Sequence, residues 1–326
     1  VKLGSLKSPR SLDGELCVIS RDLKTAVKAT HIAPNLREAL EQWKEKEEPL
    51  RKLSAELNDG KASGAFAVKE SDFLSALPRT WLFADGSAFI YHIKLVRMAR
   101  KAPLPETLET VPLMYQGECG QFLAPTEDIP QRDFAHGTDF EGEIGVITDF
   151  VPMGVSPDEA LKYIRLFVLI NDVSLRGLIP EELAQGFGFF QSKPASALSP
   201  FAVTADELGE AWQGGRVHLP LHVNYNGQFF GKANAGAMHF HFGQLIAHAA
   251  KTRNLAAGTL IGSGTVSNDD HAKGSSCLAE KRMIEQIETG SIKTSFMKSG
   301  DTVEIQMLNE QGQSVFGKIF QKVKAV

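Results

Sequence analysis

Residues 140–147 read Phe-Glu-Gly-Glu-Ile-Gly-Val-Ile, and this stretch sets the fold class. A short apolar run of this kind, punctuated by glycine, predicts a strand. Side chains alternate along a strand, so Glu141 and Glu143 share one face. Two neighbouring carboxylates repel each other unless something positive stands between them. Alternation also serves solvent-exposed faces, so the pair alone leaves both uses open.

Strand-like runs of the same texture recur on either side: ELCVISRD (15–22), KTAVKAT (24–30), RLFVLINDVS (165–174), SPFAVT (199–204), VHLPLHVNYNGQFFG (217–231), DTVEIQML (301–308) and GKIFQKV (317–323). Asn226-Gly227 is the strongest hairpin signal. Helices are few. Asn35 and Glu38 have capping-box spacing before Leu36, Leu40 and Trp43, and Pro49 predicts two helical pieces or a kink before the Asn58-Asp59-Gly60 stop. A second helix is expected from Ser156-Pro157, with Glu159 completing the box, and a third over 243–253. Residues 102–112 form a polar, proline-bearing connection. The expected fold class is mainly β with a few helices (α+β). A small N-terminal domain is expected over 1–78 and a larger catalytic domain over 79–326.

The composition excludes several functions. Of 326 residues, 43% are hydrophobic and 23% charged, which is ordinary for a globular protein. Lys+Arg 35 against Asp+Glu 39 gives a net charge of -4, with no basic stripe for nucleic acid or an anionic membrane. The longest purely apolar run, Leu166–Ile170, is far short of a membrane span. The N-terminal stretch VKLGSLKSPRSLDG has no apolar core of the secretory kind, and cytoplasmic localisation is expected. Cys17, Cys119 and Cys277 lie at unrelated spacings and predict neither a disulfide framework nor a zinc site. His239 and His241 would present two imidazoles on one side of a strand, but no third ligand lies near them. They are read as packed residues. GSGT at 262–265 lacks the lysine and spacing of a phosphate loop.

Asp172 is the second informative acid. It follows an apolar run that reads as buried on both faces, and acids are rarely buried unless paired or ligating a metal. An Asx-turn after Asn171 is the competing use. Oxygen donors of this kind suit hard divalent cations.

Taken in order, the segments resemble the fumarylacetoacetate hydrolase family from about Trp81 onward. The carrying motifs are ADGSAFIYHIK (84–94), PLMYQGECG (112–120), FEGEIGVI, INDVSLRG (170–177), SKPASALSPF (192–201) and FGQLIAHAAKTRNLAAGTLIGSGTVSN (242–268). Each motif is weak alone, and six in the family's order are specific. The resemblance implies a mixed β-sandwich roll, commonly a homodimer. Asp85, Glu141, Glu143 and Asp172 would hold one divalent cation, Mg²⁺ or Ca²⁺, with Mn²⁺ a further member of that hard-cation group. His92 would be the general base, oriented by Glu280 of GSSCLAEKR (274–282). Lys193 and Arg176 would stabilise negative charge on the substrate, and Tyr115 and Thr265 would line its pocket. Without the resemblance, His92 reads as a packed histidine on a strand or turn.

The implied reaction is hydrolysis of a carbon–carbon bond in a small anionic 1,3-diketo acid, with fumarylacetoacetate of tyrosine and phenylalanine catabolism first. Acylpyruvate hydrolysis, 2-oxo-4-enoate hydration, isomerisation and oxaloacetate decarboxylation are the alternatives on the same scaffold. A catalytically silent binding protein that keeps its metal site is the alternative from another class. Three positions that face the substrate in fumarylacetoacetate hydrolases depart from the family pattern: Ser87 replaces a frequent Tyr, Val173 an aromatic and Ile179 a Gln.

Overall fold

A computed structural model describes residues 1–99, 104 and 106–326, with the side chains of 96 and 99 excepted. In it the strand Gly142–Thr148 lies near the middle of an 11-stranded sheet. The order runs Phe66–Ala67, Thr25–Lys28, Ser11–Ile19, Lys2–Ser8, Phe201–Val203, Ile164–Asn171, Gly142–Thr148, Leu260–Gly262, Phe83–Gly86 and Met114–Gly117. The short strand Ala197–Leu198 adds to Ile164–Asn171 off this path. Neighbours are antiparallel except Leu260–Gly262 beside Phe83–Gly86. Because Lys2–Ser8 pairs with Phe201–Val203, the first 67 residues continue the same sheet.

A second sheet has five strands, ordered Gln228–Asn234, Pro220–Tyr225, Thr302–Leu308, Ser314–Ala325 and Ile129–Gln131. Its hairpin turns on Asn226 and Gly227, at φ 51° and 73°, the left-handed pair that suits strand twist. The two sheets bury a shared core. Ile144, Val146, Phe167 and Leu169 from the first meet Leu221, Val223, Val303, Ile305 and Ile319 from the second. The other face of the first sheet packs Ile147, Val168, Ile170 and Leu260 in one apolar cluster with Leu36, Leu40, Trp43 and Leu50. Burial on both faces is why residues 166–170 carry an unbroken apolar run.

The described helices are α1 (Leu36–Glu41), α2 (Trp43–Asn58), α3 (Ile90–Ala99), α4 (Pro157–Ala160), α5 (Ile179–Ala184), α6 (Phe242–Ala249) and α7 (Leu278–Thr289). Asn35 caps α1 by accepting from the Glu38 amide at 2.9 Å. The break between α1 and α2 falls at Gln42, and Pro49 sits inside α2. Pro49 removes the donor for the Glu45 carbonyl, but both residues are exposed, so water can serve that carbonyl. Gly60, at φ 72°, follows the end of α2 as expected. Ser156 caps α4 by accepting from the Glu159 amide. The Glu159 carboxylate pairs with Lys162 instead of closing the box. The helix expected over 243–253 covers Phe242–Ala249.

Three helices, α3, α5 and α7, were not expected. The strand-or-turn expectation for His92 is corrected: it lies on α3, where Ile90, Ile93 and Tyr91 give a β-like texture. Packing of α3 against α7 overrides that propensity. In α7 the buried residues are only Leu278, Glu280 and Ile284, a stripe too narrow to stand out as amphipathic. Of the expected connection at 102–112, residues 102, 103 and 105 lie outside the described residues, and residues 106–110 form turns.

Candidate active site

Strand register brings the acids together. Gly262 pairs with both Asp85 and Gly145, and Asp85 pairs with Tyr115. Paired residues share a face, and Glu143 is two residues from Gly145, so Asp85, Tyr115, Gly262 and Glu143 all face the same way. Asp172 follows the end of the neighbouring strand Ile164–Asn171. The result is a trio. One carboxylate oxygen each from Asp85, Glu143 and Asp172 lie within 4.8 Å of one another, and all three residues are buried. Glu141, the fourth expected acid, is not a member of this group. It accepts from Arg176 Nη2 at 2.6 Å and from Lys193 Nζ at 2.5 Å. Lys193 also donates to Asp172 Oδ2 at 2.5 Å, so one buried ammonium joins Glu141 to the trio.

The electrostatics follow from that geometry. Burial, with opposing carboxylates second, pushes Asp85 up to about 8 and Glu143 well above the usual carboxylate range. Burial also raises Asp172, against the pull of Lys193. Burial acts on Glu141 too, but Lys193 and Arg176 outweigh it and hold its carboxyl well below the usual range. The trio is thus short of positive charge while Glu141 is not.

A divalent cation fits the trio on three observations. Both oxygens of Glu143 are buried with no hydrogen-bond donor, which is costly for a carboxylate left that way. Gly262 leaves the floor open: a Cβ there would run into Asp85 Oδ1 and stand 3.1 Å from Glu143 Oε2. The donors are all carboxylate oxygens, the set that hard cations take. The flanking partners orient this set. Tyr115 Oη donates to Asp172 Oδ2 at 2.5 Å, Ser196 Oγ to Asp172 Oδ1 at 2.7 Å, and the Gly264 amide to Asp85 Oδ1 at 3.0 Å.

His92, expected as the base, is carried by a helix and not by the sheet. His92 on α3 places Nδ1 at 2.9 Å from Oε2 of Glu280 on α7, and Glu280 is almost wholly buried. Glu280, as a carboxylate, accepts the hydrogen bond from Nδ1–H of His92, which leaves Nε2 as the basic nitrogen. A cavity of about 590 Å³ is lined by Asp85, His92, Tyr115, Glu141, Lys193 and Thr265, with Arg176 and Ser87 also on its wall. Asp85, Glu141, His92, Lys193 and Arg176 therefore share one opening.

Two family models together cover most of the chain. The family model described as fumarylacetoacetate (FAA) hydrolase C-terminal matches residues 82–324, and the one described as fumarylacetoacetase N-terminal domain 2 matches residues 1–79. The chain belongs to the fumarylacetoacetate hydrolase family. It is 28% identical over 219 residues to the 2,4-didehydro-3-deoxy-L-rhamnonate hydrolase of Sphingomonas sp. (strain SKA58), covering 65% of this chain and 66% of that protein. Among solved structures it resembles maleylpyruvate hydrolase from Sphingobium sp. SYK-6, with TM-score 0.68, 14% identity and 100% of both chains covered. It also resembles fumarylacetoacetate hydrolase from Exiguobacterium antarcticum, with TM-score 0.64, 16% identity and coverage of 100% and 99%. At those identities the structures show the shared fold.

Within the fumarylacetoacetate hydrolase family, this chain's departures do not all bear on the pocket. Ser87 and Ile179 line the cavity. Val173 does not: it is 1% exposed and belongs to the core between the sheets, so its substitution alters packing and not the wall. His239 Nε2 donates to the main-chain carbonyl of Glu109, and His241 is the N-cap residue of α6, so the metal use weighed for them finds no support.

Sequence reasoning missed Asp139. Its buried carboxylate accepts from the Leu278 and Ala279 amides at 2.8 and 2.9 Å, at the N-terminus of α7, and from Arg176 Nε at 2.9 Å. It ties the helix that carries Glu280 to the guanidinium that holds Glu141. The available signal was its place two residues before Glu141, on the same alternation. Phe189, on the wall beside Tyr115 at a centroid distance of 5.1 Å, carried no such signal.

Proposed function

We propose that this chain hydrolyses a carbon–carbon bond in a 1,3-diketo acid, with fumarylacetoacetate the first substrate to test. The observation that carries this reading is that His92, held by Glu280, lines the same cavity as Asp85 of the acid trio. Asp85, Glu143 and Asp172, with Glu141 beside them, are proposed to hold one Mg²⁺ or Ca²⁺ ion. Such an ion, when bound, supplies Lewis-acid polarisation of the diketone oxygens.

The chain's own residues do the rest. Nε2 of His92 takes a proton from water while Glu280 holds the ring through Nδ1. The water oxygen bonds to the acyl carbonyl carbon. The bond from that carbon to the central CH₂ breaks, and its electron pair passes to the CH₂ carbon. The His92 imidazolium returns the proton there, giving a methyl ketone and a carboxylic acid that ionises. One diketo acid and one water are thereby accounted for. Lys193 and Arg176 hold Glu141 in place and put positive charge on the wall where an anionic substrate lies.

The test is metal-depleted protein given fumarylacetoacetate, with loss of diketone absorbance followed with and without Mg²⁺ or Ca²⁺. Cation-dependent formation of fumarate and acetoacetate supports the reading. No cleavage of fumarylacetoacetate or of any acylpyruvate overturns it. Isomerisation, hydration and decarboxylation do not need a water-activating pair, so an activity that survives His92→Ala would favour one of them.

A further inference from the structure

The cavity wall carries four cations: Arg97, Arg176, Lys193 and Arg282. Lys193 and Arg176 are balanced by acids. Lys193 binds Glu141 and Asp172, and Arg176 binds Asp139 and Glu141. Arg282 is held in another way. Its Nη1 donates to the main-chain carbonyl of Thr294, and its guanidinium carbon lies 4.1 Å from the centroid of the Phe296 ring. A carbonyl and an aromatic face orient a guanidinium without neutralising it.

The acid best placed to pair with it is occupied. Glu285, one turn along α7, accepts from the Lys293 and Thr294 amides at 2.8 and 2.9 Å and from Thr294 Oγ1 at 2.6 Å. That clamp also presents the Thr294 carbonyl and Phe296 to Arg282. Among the described residues, no carboxylate forms an ion pair with Arg282. The wall that Arg282 shares also carries apolar side chains, among them Ile179, Leu183, Met283 and Ile292. Charge meets charge more strongly against such walls than in open water.

We propose that Arg282 anchors a second carboxylate of the substrate, one carried on the acyl group that the reaction releases. The site would then select diketo acids that are dicarboxylates over those that end in a methyl group. This rests on the reading of the site as a diketo-acid hydrolase. A preset guanidinium with free donors matches a carboxylate in shape as well as charge.

The test uses two seven-carbon acylpyruvates that differ only at the far end. Succinylpyruvate ends in a carboxylate and butyrylpyruvate in a methyl group. Both are given to wild type, Arg282→Met, Arg282→Lys and Arg97→Met, all metal-loaded, and binding of each acid is also measured by calorimetry. For Arg282→Met we expect kcat/KM on succinylpyruvate to fall about 10- to 100-fold, mostly through KM, and to change less than about 3-fold on butyrylpyruvate. Arg282→Lys should lie between. Equal losses on both acids, or selective loss in Arg97→Met alone, would overturn the assignment. If wild type cleaves neither acid, the hydrolase reading fails, and calorimetry decides the anchor separately. A wild-type preference for succinylpyruvate that Arg282→Met abolishes upholds it, and equal binding of the two acids rejects it.

Discussion

Nδ1 of His92 stands 2.9 Å from Oε2 of Glu280, although 188 positions separate the two residues in the chain. The contact joins α3 to α7 and is what orients a base toward the cavity. His92→Ala should lower kcat by about 10²- to 10⁴-fold, the range of a lost general base. Glu280→Gln keeps the shape but loses the charge that stabilises the imidazolium, and a smaller fall is expected. Steady-state kinetics on whichever diketo acid is turned over checks both. A Glu280→Gln protein with undiminished kcat would remove Glu280 from the mechanism.

The acid trio makes a prediction that needs no substrate. Added Mg²⁺ or Ca²⁺ should raise the unfolding temperature of wild type, since a cation at 100 times its Kd contributes about 2.7 kcal/mol. Glu143→Gln removes one buried acid, so in EDTA it should melt above wild type and respond less to the cation. Differential scanning fluorimetry reads both effects. A variant that responds to the cation as wild type does would exclude Glu143 as a ligand.

Lys193 is buried and balances two acids at once. Replacing it with methionine leaves Glu141 with Arg176 alone and Asp172 without a cation. In EDTA, Lys193→Met should cost about 3–5 kcal/mol by urea unfolding, the usual loss on breaking a buried pair. Loss under about 1 kcal/mol would mean that Asp172 becomes neutral at little cost.

Asp13 offers a pH test away from the cavity. Its buried carboxylate accepts from Arg79 Nε and Nη2 at 2.8 and 2.7 Å, and the hydrogen bond from Arg79 holds it below the usual range. A depressed folded pKa gives stability that is present above the unfolded value of about 3.9 and lost as pH falls through the folded value. Asp13→Asn should therefore cost about 1–2 kcal/mol at pH 7, with Arg79 partly exposed, and progressively less as pH falls below about 3.9. Urea midpoints from pH 2 to 7 check it, and a gap that stays constant across that range would contradict the pairing.

The sheet was legible because its signals are local. Alternation in residues 140–147, the apolar run ending at Asp172 and the Asn226-Gly227 turn each declare a strand or hairpin within a few residues. The acids were legible for the same reason: Glu141, Glu143 and Asp172 are attached to those strands. Which acids group together was not, because Glu141 and Glu143 share a face by period, and only Arg176 and Lys193 draw Glu141 away from the trio. The helices α3 and α7 were illegible because their faces serve the cavity and each other more than the core. Val173 misled for a related reason: it follows Asp172 directly, yet points into the apolar layer between the sheets.

The acids hang from one sheet, whereas the base and its partner ride on two helices laid beside it. Strand register fixes the first set, since moving any of those strands by one residue would turn every side chain to the other face. The helices are placed by other means: Asp139 and a bridge from Glu141 to Cys277 hold the start of α7, and α3 packs against α7. The His92–Glu280 pair and the acid trio are set by separate parts of the fold. The same architecture can thus diversify in reaction without having to reinvent its centre.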